Sequence, residues 1–193
     1  DGSETGALLR QYLTDRGVYD AKGPATVCYG LSTDKRPSLN GQCKSDKITR
    51  MKRMQDAGVN LVPWSDSISG AELLPFPLFA RKSRGMGGKD LMPVFQPEEL
   101  SWRVSSGWDW FSSIIPIERE LRVWVWHDEI LDTYEKVMMR PSEFTGMGRN
   151  HGSGFAYQHI PDVPATSRQA VLAADAVGFD FGAVQQDSEK VKG

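Results

Sequence analysis

The chain has 193 residues, 39% hydrophobic and 25% charged, with a formal net charge of −2 and a pI near 6.0. That balance suits a globular protein with one core or two small lobes, and it excludes the global positive field used to bind nucleic acid or anionic membrane. No apolar run approaches the roughly 18 residues of a membrane helix, and Cys28 and Cys43 lack a metal or redox spacing, so the sequence reads as cytoplasmic.

In chain order, residues 3–16 read as a first helix, capped by Ser3 and closed by Gly17, and residues 25–29 as a short buried strand. Residues 31–43 are polar and rich in turn formers, a loop. Ser45 is expected to start a second helix running to about residue 57, with Gly58 as its stop and Ile48, Met51 and Met54 on its apolar side. Residues 59–63 continue extended, and 66–72 form a short helix or turn. Residues 76–81 are a strand that runs into Arg81, Lys82, Arg84 and Lys89 around Gly85, Gly87 and Gly88, with 91–95 returning. Glycine-rich backbone N–H groups beside basic side chains suit a phosphate. Lys89 is followed by Asp90 rather than Ser or Thr, so this is not a P-loop of the Walker type.

A tryptophan-rich approach at 101–116 leads into the most patterned stretch. Leu121, Val123 and Val125 alternate with Arg122, Trp124 and Trp126, the period of a strand with one buried face. Residues 130–137 form its partner if His127, Asp128 and Glu129 make a three-residue hairpin loop. Trp126 then pairs with Ile130, Arg122 with Tyr134, and Glu120 lies opposite Lys136. The shared face is either a solvated outer surface or a floor that grips a charged ligand. Residues 144–159 read as an irregular glycine-rich loop centred on Arg149 and Asn150, the kind of loop that carries function. His127, His151 and His159 fall in turns and loops without ligand spacing. Residues 166–169 have the form of a capping box opening a helix that stops at Gly178; a strand at 179–184 and a polar end follow.

Taken in this order, the parts resemble the ATP-grasp fold, most closely the short phage-encoded ATP-grasp proteins related to ribosomal-protein glutamate ligases. The resemblance implies an α/β protein whose two lobes of antiparallel sheet clasp a nucleotide cleft. Residues 1–43 would be a small N-terminal βα unit, 44–110 the small lobe with the phosphate loop, and 111–193 the C-terminal lobe. Lys47, at a helix start, matches the family's first nucleotide lysine. Arg81 stands for its second, followed by the loop of Gly85, Gly87 and Gly88. Residues 111–116 match the hinge that reads adenine. Glu120 matches the acid on the ribose, Arg122 the strand arginine, and Lys136 the basic return strand. Arg149 and Asn150 would meet an acyl phosphate or a substrate carboxylate.

The implied activity is ATP-dependent joining of a carboxylate to an amine through an acyl phosphate, with ATP and Mg²⁺ as cofactors and a small-molecule or peptide acid and amine as substrates. One departure bears on the metal. Gln185 stands where an Asp is expected, leaving Asp187 as the nearest candidate ligand, and a following strand with Glu and Asn is not among these residues. The sequence therefore predicts nucleotide binding with little dependence on Mg²⁺ and no amide-forming turnover by these 193 residues. The other reading is a non-catalytic nucleotide-binding protein that docks a viral or host protein partner.

Overall fold

The computed structural model describes residues 46–84, 90–144, 149 and 151–188, together with a strand pair at 26–27 and 38–39; for 26–27, 38–39, 181 and 185–188 the description is of the backbone course. β1 (Thr26–Val27) and β2 (Ser38–Leu39) pair in parallel, so part of the expected loop at 31–43 is strand. The helix expected at 3–16, both cysteines, Gly85, Gly87, Gly88 and Asn150 lie outside the described residues.

Helix α1 (Lys47–Asp56) begins two residues later than expected, with Asp46 as its cap. The Asp46 carboxylate accepts the Thr49 backbone N–H at 2.8 Å. A carboxylate there satisfies an orphan donor and meets the positive end of the helix dipole. That backbone hydrogen bond is also the main reason Asp46 titrates below the usual carboxylate range. Gly58, at φ 76°, follows the helix in the left-handed region that glycine adopts without strain.

The first four-stranded sheet is built from β3 (Trp64–Ser65), β4 (Leu78–Arg81), β5 (Leu91–Val94) and β6 (Trp110–Ser113), in the order β3-β6-β4-β5 and antiparallel throughout. Along β4, Leu78 and Ala80 enter a core with Val94, Leu100, Phe111 and Ala71, while Phe79 and Arg81 take the opposite face. Two short helices cover that core. α2 (Ile68–Ala71) is capped by the Ser67 hydroxyl, which accepts from the Gly70 N–H. α3 (Glu99–Ser105) has no counterpart among the sequence expectations. Its Glu99 carboxylate accepts the Phe95 and Gln96 N–H groups, and Arg103 donates to the Pro93 carbonyl on edge strand β5. A proline and a capped carbonyl blunt that edge against further strand pairing.

The second sheet contains β7 (Arg119–Trp126), β8 (Glu129–Met138), β9 (Phe155–His159) and β10 (Phe181–Ser188), in the order β10-β7-β8-β9 and again antiparallel. Leu121, Val123 and Val125 are buried, as their alternation predicts. Val123 and Val125 pack on Ala170 and Ala174 of helix α4 (Pro164–Val177). Burying each valine stabilises the fold by roughly 1.5–3 kcal/mol.

The β7–β8 hairpin corrects one expectation. Its turn holds two residues, His127 and Asp128, with Trp126 paired to Glu129 and Val125 to Ile130. His127 sits at φ 51°, as a tight hairpin turn requires. A bulge between Trp124 and Val125 on the β7 side then takes up one residue of β8, restoring the predicted register: Trp124 pairs with Asp132 and Arg122 with Tyr134.

Two further expectations fail. Residues 155–159, read as loop, are strand β9. The supposed capping box is not one, because α4 starts at Pro164, whose fixed φ suits the first helical turn. Gln169 is thereby freed to accept the Asn60 N–H at 2.8 Å. The end of α4 is as expected, with Gly178 at φ 74°. α1 packs against α4, and Arg50 of α1 lies 5.5 Å over the Phe179 ring, tying the two halves together.

Candidate functional site

Both sheets turn one face to a core and present cations on the other. On the small sheet, Arg81 lies on the face opposite Leu78 and Ala80. Its guanidinium sits 5.0 Å over the Trp110 ring and 5.5 Å over the Phe79 ring, and its Nε donates to the Ser112 hydroxyl at 2.9 Å. Stacking and one directed hydrogen bond fix the planar guanidinium, which a lysine could not reproduce.

Lys47, at the first position of α1, belongs to the same cluster. Its ammonium titrates below the ordinary lysine value, first because burial strips water from the charge and next because the Arg81 cation repels it. Arg50 adds to that repulsion, while Asp90 and Asp109 act the other way. Desolvation and repulsion outweigh the two carboxylates, so this cluster favours an added negative charge. The nearby Asp109 also ties down the start of the glycine-rich segment, accepting the Ser83 N–H at 2.7 Å and its hydroxyl at 2.6 Å.

On the large sheet the bland reading of a solvated face fails. Glu120 is 2% exposed and Lys136 8%, and the Lys136 ammonium donates to the Glu120 carboxylate. The Arg149 Nε lies 3.5 Å from the second Glu120 oxygen. Arg122 stacks 4.4 Å over the Tyr157 ring, Lys136 lies 5.5 Å over the same ring, and Arg149 lies 4.9 Å over Phe155. The Arg122 Nε is buried with no hydrogen-bond partner among the described residues. Three cations therefore converge near one carboxylate, and buried like charges this close are tolerated only with counter-charge or a ligand.

At one end of this face Asp132 pairs with His159 at 2.7 Å. A hydrogen bond from the Tyr134 hydroxyl is the largest influence holding the Asp132 carboxyl below its ordinary range, with the His159 charge adding to it. On the opposite sheet face, Arg119 grips Glu135 with two bonds, at 2.9 and 2.8 Å.

The residues named from the sequence thus gather in two sets, Lys47 with Arg81 and Glu120 with Arg122, Lys136 and Arg149. The backbone register sets Gln185 beside Arg122 and Asp187 beside Glu120. Position 185 offers a neutral amide oxygen, a weaker ligand for Mg²⁺ than a carboxylate.

Sequence reasoning missed Tyr157, Phe155 and His159, which support the cations and Asp132. A signal existed: Phe155, Tyr157 and His159 fall at every second position, the period of a strand. The surrounding glycines hid it. Phe79, Trp110 and Ser112, which hold Arg81, left no comparable trace because they come from two strands distant in sequence.

The fold is the ATP-grasp fold, as solved structures similar to this chain show. A D-alanine–D-alanine ligase from Bacillus anthracis superposes with a TM-score of 0.64 at 13% identity, over 94% of this chain and 69% of that one. An N5-carboxyaminoimidazole synthetase from Staphylococcus aureus, complexed with ADP, gives 0.64 at 12% identity, over 87% and 51%. The ATP-grasp ligase PsnB, complexed with a minimal precursor, gives 0.58 at 15% identity, over 80% of this chain and 52% of its own. This chain thus spans about half the length of PsnB. No protein-family model matches the chain, and no curated protein matches its sequence.

Proposed function

We propose that this chain carries the nucleotide- and acid-binding parts of an ATP-dependent carboxylate–amine ligase. The observation that carries the reading is the Lys47–Arg81 pair, drawn from a helix start and a strand into one cluster where repulsion and desolvation outweigh the local carboxylates. Such a cluster is relieved by a polyphosphate, and the segment with Gly85, Gly87 and Gly88 follows directly from β4. Lys47, Arg81 and that segment hold the phosphates in this reading, residues 111–116 the base, and Glu120 with Lys136 the ribose side.

In the reaction, a carboxylate oxygen of the acid attacks the γ-phosphorus of ATP and the bond to ADP breaks, leaving an acyl phosphate. The amine then attacks the acyl carbon, phosphate departs with the bonding pair, and the amine loses a proton. Arg122, Arg149 and Asn150 are the groups assigned to the negative charge of the acid and its acyl phosphate. Because Gln185 is a neutral ligand, no step is assigned to Mg²⁺.

Gln185, where the resemblance expects an Asp, favours a second reading, nucleotide binding without catalysis. One experiment separates the two: calorimetry of ATP binding in Mg²⁺ and in EDTA, alongside ADP release with mixed pools of acids and amines. ADP release that requires both an acid and an amine establishes the ligase. ATP binding without such release establishes the second reading, and absence of ATP binding removes both.

A further inference from the structure

The large sheet's charged face is not uniform along β8. Residues 132, 134, 136 and 138 lie on one face by the strand's alternation, and their neighbours on β9 are His159 beside Tyr134, Tyr157 beside Lys136 and Phe155 beside Met138. Past the cations the face becomes apolar. Met138 is 37% exposed, Tyr157 41% and Phe144 39%, and Phe144 meets Phe155 edge to face with ring centroids 5.5 Å apart. The rings that support Arg122, Lys136 and Arg149 thus continue outward as an open apolar shelf.

Its backbone support is specific. Gly154 turns at φ 86° and its carbonyl accepts the Met139 and Arg140 N–H groups, at 2.8 and 3.0 Å. A side chain on Gly154 would run into the Arg140 carbonyl, so the chain ends that flank the shelf are held close. Surface this apolar directly beside a desolvated cation cluster has a composite preference, an anionic group for the cations and an apolar group for the rings.

We propose that this face is the acid-binding subsite, and that it selects a carboxylate whose neighbouring substituent is a bulky apolar or aromatic group. The inference rests on the ligase reading for its role in the reaction, and on the sheet face alone for binding. The carboxylate is held by Arg122 and Arg149, and Lys136 offsets the charge of Glu120. The apolar substituent lies along Met138 and Phe144. Small acids such as glycine or alanine leave the shelf uncovered and are poor ligands. The same chemistry is offered by a free hydrophobic acid and by a peptide with a hydrophobic C-terminal residue.

Calorimetry on the nucleotide-free protein with N-acetylphenylalanine, N-acetylglycine, N-acetylphenylalanine amide and a tetrapeptide ending in phenylalanine tests this directly. The expected result is N-acetylphenylalanine binding about tenfold tighter than N-acetylglycine, as covering part of a phenyl ring provides, and tighter than its own amide. Phe144→Ala and Met138→Ala, both at half-exposed positions, should each shrink the preference for phenylalanine over glycine. A tetrapeptide tighter than the N-acetyl acid identifies a peptide source, and equal affinities a small acid. Equal binding of the phenylalanine and glycine acids, or a preference unmoved in both variants, overturns the proposal. ATP titrated separately reports on the small-sheet cluster, so loss of the ligase reading and loss of this subsite give different results.

Discussion

On the small sheet, Arg81 lies against two aromatic rings and donates to a serine hydroxyl; on the large sheet, Lys136 is buried against the Glu120 carboxylate. Both are cations on the polar face of a four-stranded antiparallel sheet, but their anchors differ in charge. Neutral anchors position a guanidinium without cancelling its field, which is why Arg81 still depresses the titration of Lys47. A carboxylate anchor cancels most of the field, and the pair becomes part of the structure. The small-sheet cations therefore still act on one another, whereas the large-sheet cluster holds a buried counter-charge in Glu120.

The comparison breaks most readily at Glu120. Glu120→Leu leaves Lys136 buried beside Arg122 and Arg149 without its counter-charge, and should cost about 3–5 kcal/mol in urea denaturation. The double variant Glu120→Leu with Lys136→Met should recover most of that loss. A single variant of near wild-type stability would mean that water reaches Lys136 and that the pair is not structural.

Arg81→Met should behave in the opposite sense. ATP affinity should fall by about 1.5–3 kcal/mol, the scale of a hydrogen bond to a charged group, while the denaturation midpoint moves little because rings and a hydroxyl remain packed. If stability falls and ATP affinity does not, the roles of the two clusters are reversed.

A smaller effect is read in pH. The folded-state titration of Lys47 lies below its unfolded value, so its charged form costs stability at neutral pH. That cost disappears as pH rises through the folded value towards the unfolded one, and stability should gain in that alkaline window. Arg81→Met removes the repulsion and should move the Lys47 titration upward, as followed by NMR of labelled lysine. An unchanged titration would show that desolvation alone sets it.

The smallest effect belongs to pairs outside both clusters. Lys52 and Asp66 meet at 2.6 Å with side chains 57% and 35% exposed. Lys52→Ala should change stability by less than about 1 kcal/mol and lose even that in high salt. A larger loss would extend the organised charge of the small sheet well beyond Arg81 and Lys47.

What the sequence determined by itself was local and periodic. Alternation over residues 121–126 specified a strand with Leu121, Val123 and Val125 inward, and with the hairpin it placed Arg122 beside Tyr134. Gly178 marked the end of α4 because only the left-handed backbone there closes that helix cleanly. Tertiary structure decided the rest. A two-residue turn won over three, with a bulge absorbing the difference, because side chains distant from the turn had already fixed the register by burial. Strand β9 emerged from a glycine-rich stretch because β8 offered it an open edge, and edge pairing is not written in the pairing segment alone. Arg81 found Ser112 and Trp110 some 30 residues away, and Arg149 reached Glu120 across the sheet. Charges brought together over such separations leave no periodic trace. The types of the site residues were therefore legible in the chain, whereas their partners, and so which cations remain available to a ligand, were set by packing.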